Sequence, residues 1–153
     1  MCIRDSPNAA LLQSDLEVSL DSPQLLAGKK VLIVEDGPTV THGGMAYGAG
    51  WVAAQRWHAG EIVNPKPHAV GSIADTFARN PHLENVLPAM GYSEAQRQEL
   101  ASTIESSDAQ VIVNGSPADI ASLLDISIPV AQVRYQFAPR QGIELVQRVT
   151  QLL

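Results

Sequence analysis

The sequence predicts an α/β fold, a three-layer sandwich in which a mostly parallel sheet is flanked by helices. Val31-Leu-Ile-Val34 and Gln110-Val-Ile-Val-Asn114 are apolar, β-branched runs without polar alternation, as expected of strands buried on both faces of a parallel sheet. Strand-like and helix-like segments alternate along the chain, which implies parallel strands joined by crossovers. The composition supports a packed core: of 153 residues, 45% are hydrophobic and 17% charged, and the mean hydropathy is +0.01.

The elements follow in order. Met1 to Ser6 has no apolar core of a signal peptide and no Arg/Ser-rich transit pattern; it reads like a translated adapter sequence. Pro7 to Gly28 holds only a weakly amphipathic stretch, Ala9 to Leu20, read as the tail of an upstream element. Residues 1–28 are therefore expected to be a non-native start plus that tail, and 29–153 a single α/β domain. After the first strand and a glycine-rich loop, Met45 to His58 carries helical spacing. Gly60 to Pro65 is a short second strand, stopped by Pro65 and Pro67. Ser72 to Arg79 is a helix with Ser72 as N-cap, ended by Pro81. Asn85 to Met90 is an extended segment that Pro88 assigns to an edge. Ser93 to Ser106 is the clearest helix, opened by a Ser-x-x-Gln capping box. The buried strand at Gln110 to Asn114, a helix at Ala118 to Leu124, a strand at Pro129 to Tyr135 and a helix at Gln141 to Leu153 complete the chain.

Charge and cysteine usage exclude several function classes. The net charge of −6, pI near 5.0 and ten scattered basic residues argue against nucleic-acid binding. No apolar run approaches the length of a membrane span. Cys2, the single cysteine, allows no internal disulfide and no cysteine-based zinc site, so a reducing, cytoplasmic setting is expected.

In an open parallel sheet, ligands sit beyond the carboxyl ends of the strands. That edge receives Glu35 and Asp36, directly after Val31 to Val34. Four apolar residues ending in carboxylates have the form of a Walker B strand, where a carboxylate serves Mg²⁺ beside a nucleotide phosphate; a plain Asp-Gly-Pro turn capped by Asp36 fits equally. The next residues, Gly37 to Gly44, are dense in glycines and hydroxyls. Their backbone amides, with Thr39, Thr41, Gly43 and Gly44, suit a phosphate, and a tight strand-to-helix turn is the alternative. His42 suits either acid-base chemistry or a simple hydrogen bond. Asn114 and Asp119, after the second buried strand, could read a nucleotide base, or could make and cap an Asn-Gly-Ser-Pro turn.

The run Val34 to Gly50, Val-Glu-Asp-Gly-Pro-Thr-Val-Thr-His-Gly-Gly-Met-Ala-Tyr-Gly-Ala-Gly, resembles a known family, as do Glu61 to Pro67, Ala69 to Ile73 and Val86 to Gly91. It is similar to the predicted P-loop GTPases related to cyclic 2,3-diphosphoglycerate synthetase, over about residues 29 to 150. The resemblance implies a P-loop NTPase-like or Rossmann-like sandwich and ATP or GTP with Mg²⁺. It also implies a small phosphorylated acceptor such as 2,3-bisphosphoglycerate. Asp36, and with it Glu35, would serve the metal, Thr39 to Gly44 the phosphates or acceptor, and Asn114 and Asp119 the base. The chain holds no Gly-x-x-x-x-Gly-Lys-Ser/Thr loop. It is thus expected to be the C-terminal half of such an enzyme and inactive alone. A non-catalytic anion- or nucleotide-binding module is the alternative, and a glycine-rich packing or dimer surface at Gly43 to Gly50 a third reading.

Overall fold

The structure, a computed structural model, describes residues 13–91, 93–140 and 150. It forms two compact units, residues 18–134 and a smaller one to which the described residues 13–17 and 135–140 belong. The elements are β1 (Ser14–Leu20), β2 (Lys30–Asp36), α1 (Gly37–Thr41), α2 (Ala49–Arg56), β3 (Glu61–Ile62), α3 (Gly71–Arg79), β4 (Leu87–Ala89), α4 (Glu94–Glu105), β5 (Val111–Asn114), α5 (Ile120–Leu123) and β6 (Val130–Pro139). They build a six-stranded, mostly parallel sheet in the order β1-β6-β5-β2-β3, with β4 also paired to β2.

The central strand is β2, and its sequence explains why. Val31, Leu32, Ile33 and Val34 are all fully buried, which only a strand covered on both faces allows. On one side it pairs with β5, Val31 opposite Val111 through Val34 opposite Asn114. On the other side β3 takes its amino end, Lys30 opposite Glu61. There β4 takes its carboxyl end, Val34 opposite Leu87 and Asp36 opposite Ala89. Pro88, which has no N–H to give a ladder, lies on this short strand, whose pairing is to β2. The carboxyl ends of β2, β4 and β5 therefore come out side by side.

Three local expectations change. Gly37 to Thr41 is one turn of helix rather than open loop, because Pro38 suits the first turn, where its missing N–H costs nothing. The following helix starts at Ala49, not Met45. Extended backbone at Gly48 (φ −137°, ψ −148°) ends the loop there, and Gly44 takes a left-handed φ of +64° within it. The segment read as an upstream tail contributes β1, whose Leu20 joins the core, and Leu26, which is fully buried. Its Leu16, Val18, Leu20 alternation is the period of a strand.

The helix at Ser72 to Arg79 begins one residue earlier. Its first turn is held by Glu99 of α4, whose Oε2 accepts from the Ser72 amide at 3.0 Å and from the Ser72 hydroxyl. Ser93 caps α4 as its sequence requires, accepting from the Gln96 amide at 3.2 Å. Ser93→Ala is expected to lower the unfolding free energy by about 1 kcal/mol in urea denaturation. In the smaller unit, an exposed Arg140–Asp15 pair (2.6 Å) holds the Asp15 carboxyl below its usual range and lifts Arg140. Such surface pairs add little stability. All but residue 150 of the expected helix at Gln141 to Leu153 lies outside the described residues, as does Cys2.

Candidate functional site

Two clefts open where β2 and β4 end, divided by α1 and sharing Pro38, Ala89 and Met90. The first, about 250 Å³, lies between the ends of β2, β4 and β5 and the start of α5. Its floor is apolar, with Leu100, Ile120 and Leu124, while Asp36 and Arg97 stand in its wall. The second, about 280 Å³, lies between α1 and α3 and is edged by Thr41, His42, Arg79 and Asn80. The carboxyl edge, expected to be the ligand edge, thus carries real concavities.

Asp36 is half-buried, and its Oδ2 accepts from the Thr39 hydroxyl at 2.9 Å. Among the described residues it is the one carboxylate in the wall of the first cleft. Among the described residues no group of three or more His, Cys, Asp or Glu side chains could hold a metal ion. A dedicated metal cage is therefore not what this edge fits. One carboxylate does fit a Mg²⁺ that keeps most of its waters and arrives chelated by substrate phosphates.

Glu35, adjacent in sequence, points the other way along the pleat and is only 2% exposed. Its Oε1 accepts from the Gly48 amide at 3.0 Å and the Trp51 amide at 2.9 Å, closing the amino end of α2. Burial raises its pKa. The backbone amides of Trp51, Gly50 and Gly48 pull against that, and the Asp36 charge adds to it. Gly48, Gly50 and Gly115 crowd this carboxylate so closely that a Cβ on any of them would meet it at 3.0 Å or less. Gly48 and Gly50, within the run read as a packing or dimer surface, thus pack against Glu35 of the same chain.

The Thr41 hydroxyl donates to Gly37 O at 2.8 Å and lies 3.1 Å from His42 Nδ1. One hydroxyl hydrogen cannot serve both, so Nδ1 carries a proton toward Thr41 Oγ1. In the neutral ring this leaves Nε2 as an acceptor at the edge of the second cleft. Thr39, Gly43 and Gly44 are exposed on the turn and the loop that follows it. Asn114 is fully buried. Its Nδ2 donates to Ala118 O and Gln132 Oε1, both at 2.7 Å, and its Oδ1 accepts from Ser116 N (3.1 Å) and Oγ (2.8 Å). Asp119 caps α5 through the Ser122 amide (3.2 Å) and hydroxyl (2.8 Å). Both side chains therefore shape the turn after β5, and Asn114 keeps no donor or acceptor for a base.

Arg97, Met90 and Ser116 to Ala118 complete the first cleft, and no local spacing pointed to them. They reach it because β4 and β5 flank β2, a pairing between segments distant in the chain. Among the described residues no helix is long and apolar enough to cross a membrane.

Over 131 residues, 86% of its length, the chain is 47% identical to a protein named arginine synthetase ArcE from Thermococcus kodakarensis. The chain is similar to a synthetase. It spans 29% of that relative's length. No family model matches the chain, and no solved structure matches it. The synthetase part of the expected resemblance agrees with this relative, whereas the GTPase part finds no support in it.

Proposed function

We propose that the chain supplies the carboxyl-edge part of a nucleotide-dependent, ligase-type synthetase, with phosphate binding at the β2–α1 turn and an acceptor in the adjoining cleft. The observation that carries this reading is Asp36 at the mouth of a 250 Å³ concavity bounded by the ends of three parallel strands. The similarity to a named synthetase supports it.

In this reading Asp36 holds the hydrated Mg²⁺ that a nucleoside triphosphate brings, and Mg²⁺ supplies charge neutralisation on the phosphates. Thr39, bonded to Asp36 Oδ2, keeps that carboxylate in one rotamer. Thr41 orients His42 so that Nε2 can take or hold a proton at the edge of the second cleft. The exposed amides at Gly43 and Gly44 and the guanidiniums of Arg79 and Arg97 meet anionic oxygens. Glu35 is a positioning residue, holding α2 against the turn. The remaining parts of the phosphate cradle would come from outside this chain, so turnover by the chain alone is expected to be negligible.

Calorimetric titration of the chain with ATP and with GTP, each with and without Mg²⁺, tests the reading. Mg²⁺ is expected to tighten binding about tenfold, and Asp36→Asn to abolish that gain. Parallel titrations with 2,3-bisphosphoglycerate, from the family resemblance, and with arginine, from the relative's name, identify the acceptor. Metal-independent binding that is equal in both proteins would favour a module that holds anions without chemistry. Absence of nucleotide binding in every arm would remove the reading for this chain.

A further inference from the structure

A third concavity, about 190 Å³, is lined by Ala46, Tyr47, Trp51, His82, Glu84 and Asn85, none of which lines the two clefts at the carboxyl edge. Tyr47 and Trp51 give it two aromatic rings, with centroids 6.0 Å apart and planes tilted by 35°, and Tyr47 is 49% exposed. The slot is anchored on both sides of the glycine-rich loop. Trp51 donates its amide to Glu35 Oε1 at 2.9 Å, and His82 Nε2 lies 2.8 Å from Val40 O of α1. Glu84 and Asn85 bring free polar groups: among the described residues neither side chain has a hydrogen-bonding or ionic partner.

Those groups set the chemistry of a ligand. Two neighbouring rings favour a flat π system wide enough to overlie both. The Glu84 carboxylate only accepts, whereas the Asn85 amide both donates and accepts, so the ligand's edge must carry N–H donors and an acceptor side by side. A cation with donors alone leaves the Asn85 amide hydrogens without a partner, and a plain aromatic ring leaves both residues unpaired. An aminopurine meets every condition, with a bicyclic face and an amino or imino N–H beside a ring nitrogen or carbonyl. The nucleotide invoked above also lacks a base site, because Asn114 and Asp119 are used by the turn after β5. Tyr47 follows Gly44 by three residues, at most about 11 Å of extended chain, so a base in the slot keeps its phosphates beside the Gly43 and Gly44 amides. We propose that the Tyr47–Trp51–Asn85 slot takes the aminopurine base of the nucleotide, stacked on Tyr47 and Trp51, with an N–H donated to Glu84 and the Asn85 amide paired to its edge. This rests on the nucleotide reading and adds to it the residues that select the base.

Phosphate-free nucleosides separate the slot from the Asp36 edge. Adenosine and guanosine are titrated into the chain without Mg²⁺ and followed by saturation-transfer NMR, with uridine, choline and ribose 5-phosphate as competing chemistries. Saturable transfer to the purine ring protons is expected, the tighter nucleoside naming the base. Tyr47→Ala and Asn85→Asp are each expected to raise its Kd about fivefold or more. Asp125→Asn, on an exposed carboxylate after α5, is expected to leave it unchanged. Tyr47 is exposed and the Asn85 side chain has no partner to lose, so both variants should keep the wild-type melting temperature. The proposal is overturned by non-saturating transfer to both purines, by an unchanged Kd in Tyr47→Ala or Asn85→Asp, or by uridine, choline or ribose 5-phosphate binding as tightly as the better purine. Purine nucleosides that bind while ATP and GTP show no Mg²⁺ dependence would remove the metal role of Asp36 and keep the slot. Mg²⁺-dependent nucleotide binding that Tyr47→Ala leaves unchanged would do the reverse.

Discussion

Glu35→Ala is expected to destabilise the chain by about 3 kcal/mol, measured by urea denaturation at neutral pH. The substitution strips the Gly48 and Trp51 amides of their acceptor at a buried helix end, and each orphaned buried donor costs roughly 1–3 kcal/mol, partly offset by relief of a desolvated charge. Glu35→Gln should behave differently. Both amides point at the same oxygen, Oε1, so a side-chain amide can present its carbonyl there and keep both bonds. Retained stability in Glu35→Gln with loss in Glu35→Ala would establish the helix-holding role.

The pH dependence gives the same residue a second signature. Burial raises the Glu35 pKa in the folded chain above its unfolded value, so the folded state binds more protons between the two. By linkage, the contribution of this group is fully present below the unfolded pKa of about 4.3 and is lost as pH rises through the raised folded pKa. Wild-type stability should therefore carry a component that falls with rising pH above about pH 4, and Glu35→Gln should lack it. An unchanged pH profile in the variant would contradict this account.

Gly115→Ala is expected to cost a comparable amount, about 3 kcal/mol, through overpacking. A Cβ there would sit 2.4 Å from Glu35 Oε2 and 2.7 Å from the Gly50 amide nitrogen. Neither neighbour can retreat freely: Gly50 lies in the first turn of α2, and Glu35 is held by that same turn. The Gly115 amide donates to Val34 O at 2.7 Å, which fixes the glycine from its own side. Gly91→Ala is the matched control. Its Cβ would meet only Arg97 Cγ at 3.4 Å, and a change within about 0.5 kcal/mol is expected. Combining Gly115→Ala with Glu35→Ala should cost less than the sum of the single changes, because removing the carboxylate vacates the space the new methyl needs. Strict additivity would show that the two sites do not share that contact.

Much of the architecture was legible because it rests on local chemistry. Val31 to Val34 and Val111 to Val113 could satisfy their unbroken apolar runs only as strands covered on both faces, and Ser93 with Gln96 wrote the start of α4 into four residues. The position of Asp36 at the carboxyl edge of the sheet followed from its place after the first run. The adjacent Glu35 was harder to read, since successive strand side chains take opposite faces, and sequence alone does not say which face is already closed by a helix. Asn114 showed the same difficulty. An amide at a strand end suits a ligand and a turn alike until Ala118, Gln132 and Ser116 are seen to use all of its hydrogen-bonding groups.

By itself, then, the sequence determined the buried parallel strands, the helix caps and the carboxylate at the edge, because hydrophobic period and capping act within a few residues. Tertiary structure alone decided which carboxylate faces a cleft and which holds a helix. It also decided that β4 and β5 flank β2 to form that cleft, and that Tyr47, Trp51, His82 and Glu84 share one slot. Those outcomes depend on pairings between distant segments, whose burial and register are fixed only when the whole sheet closes.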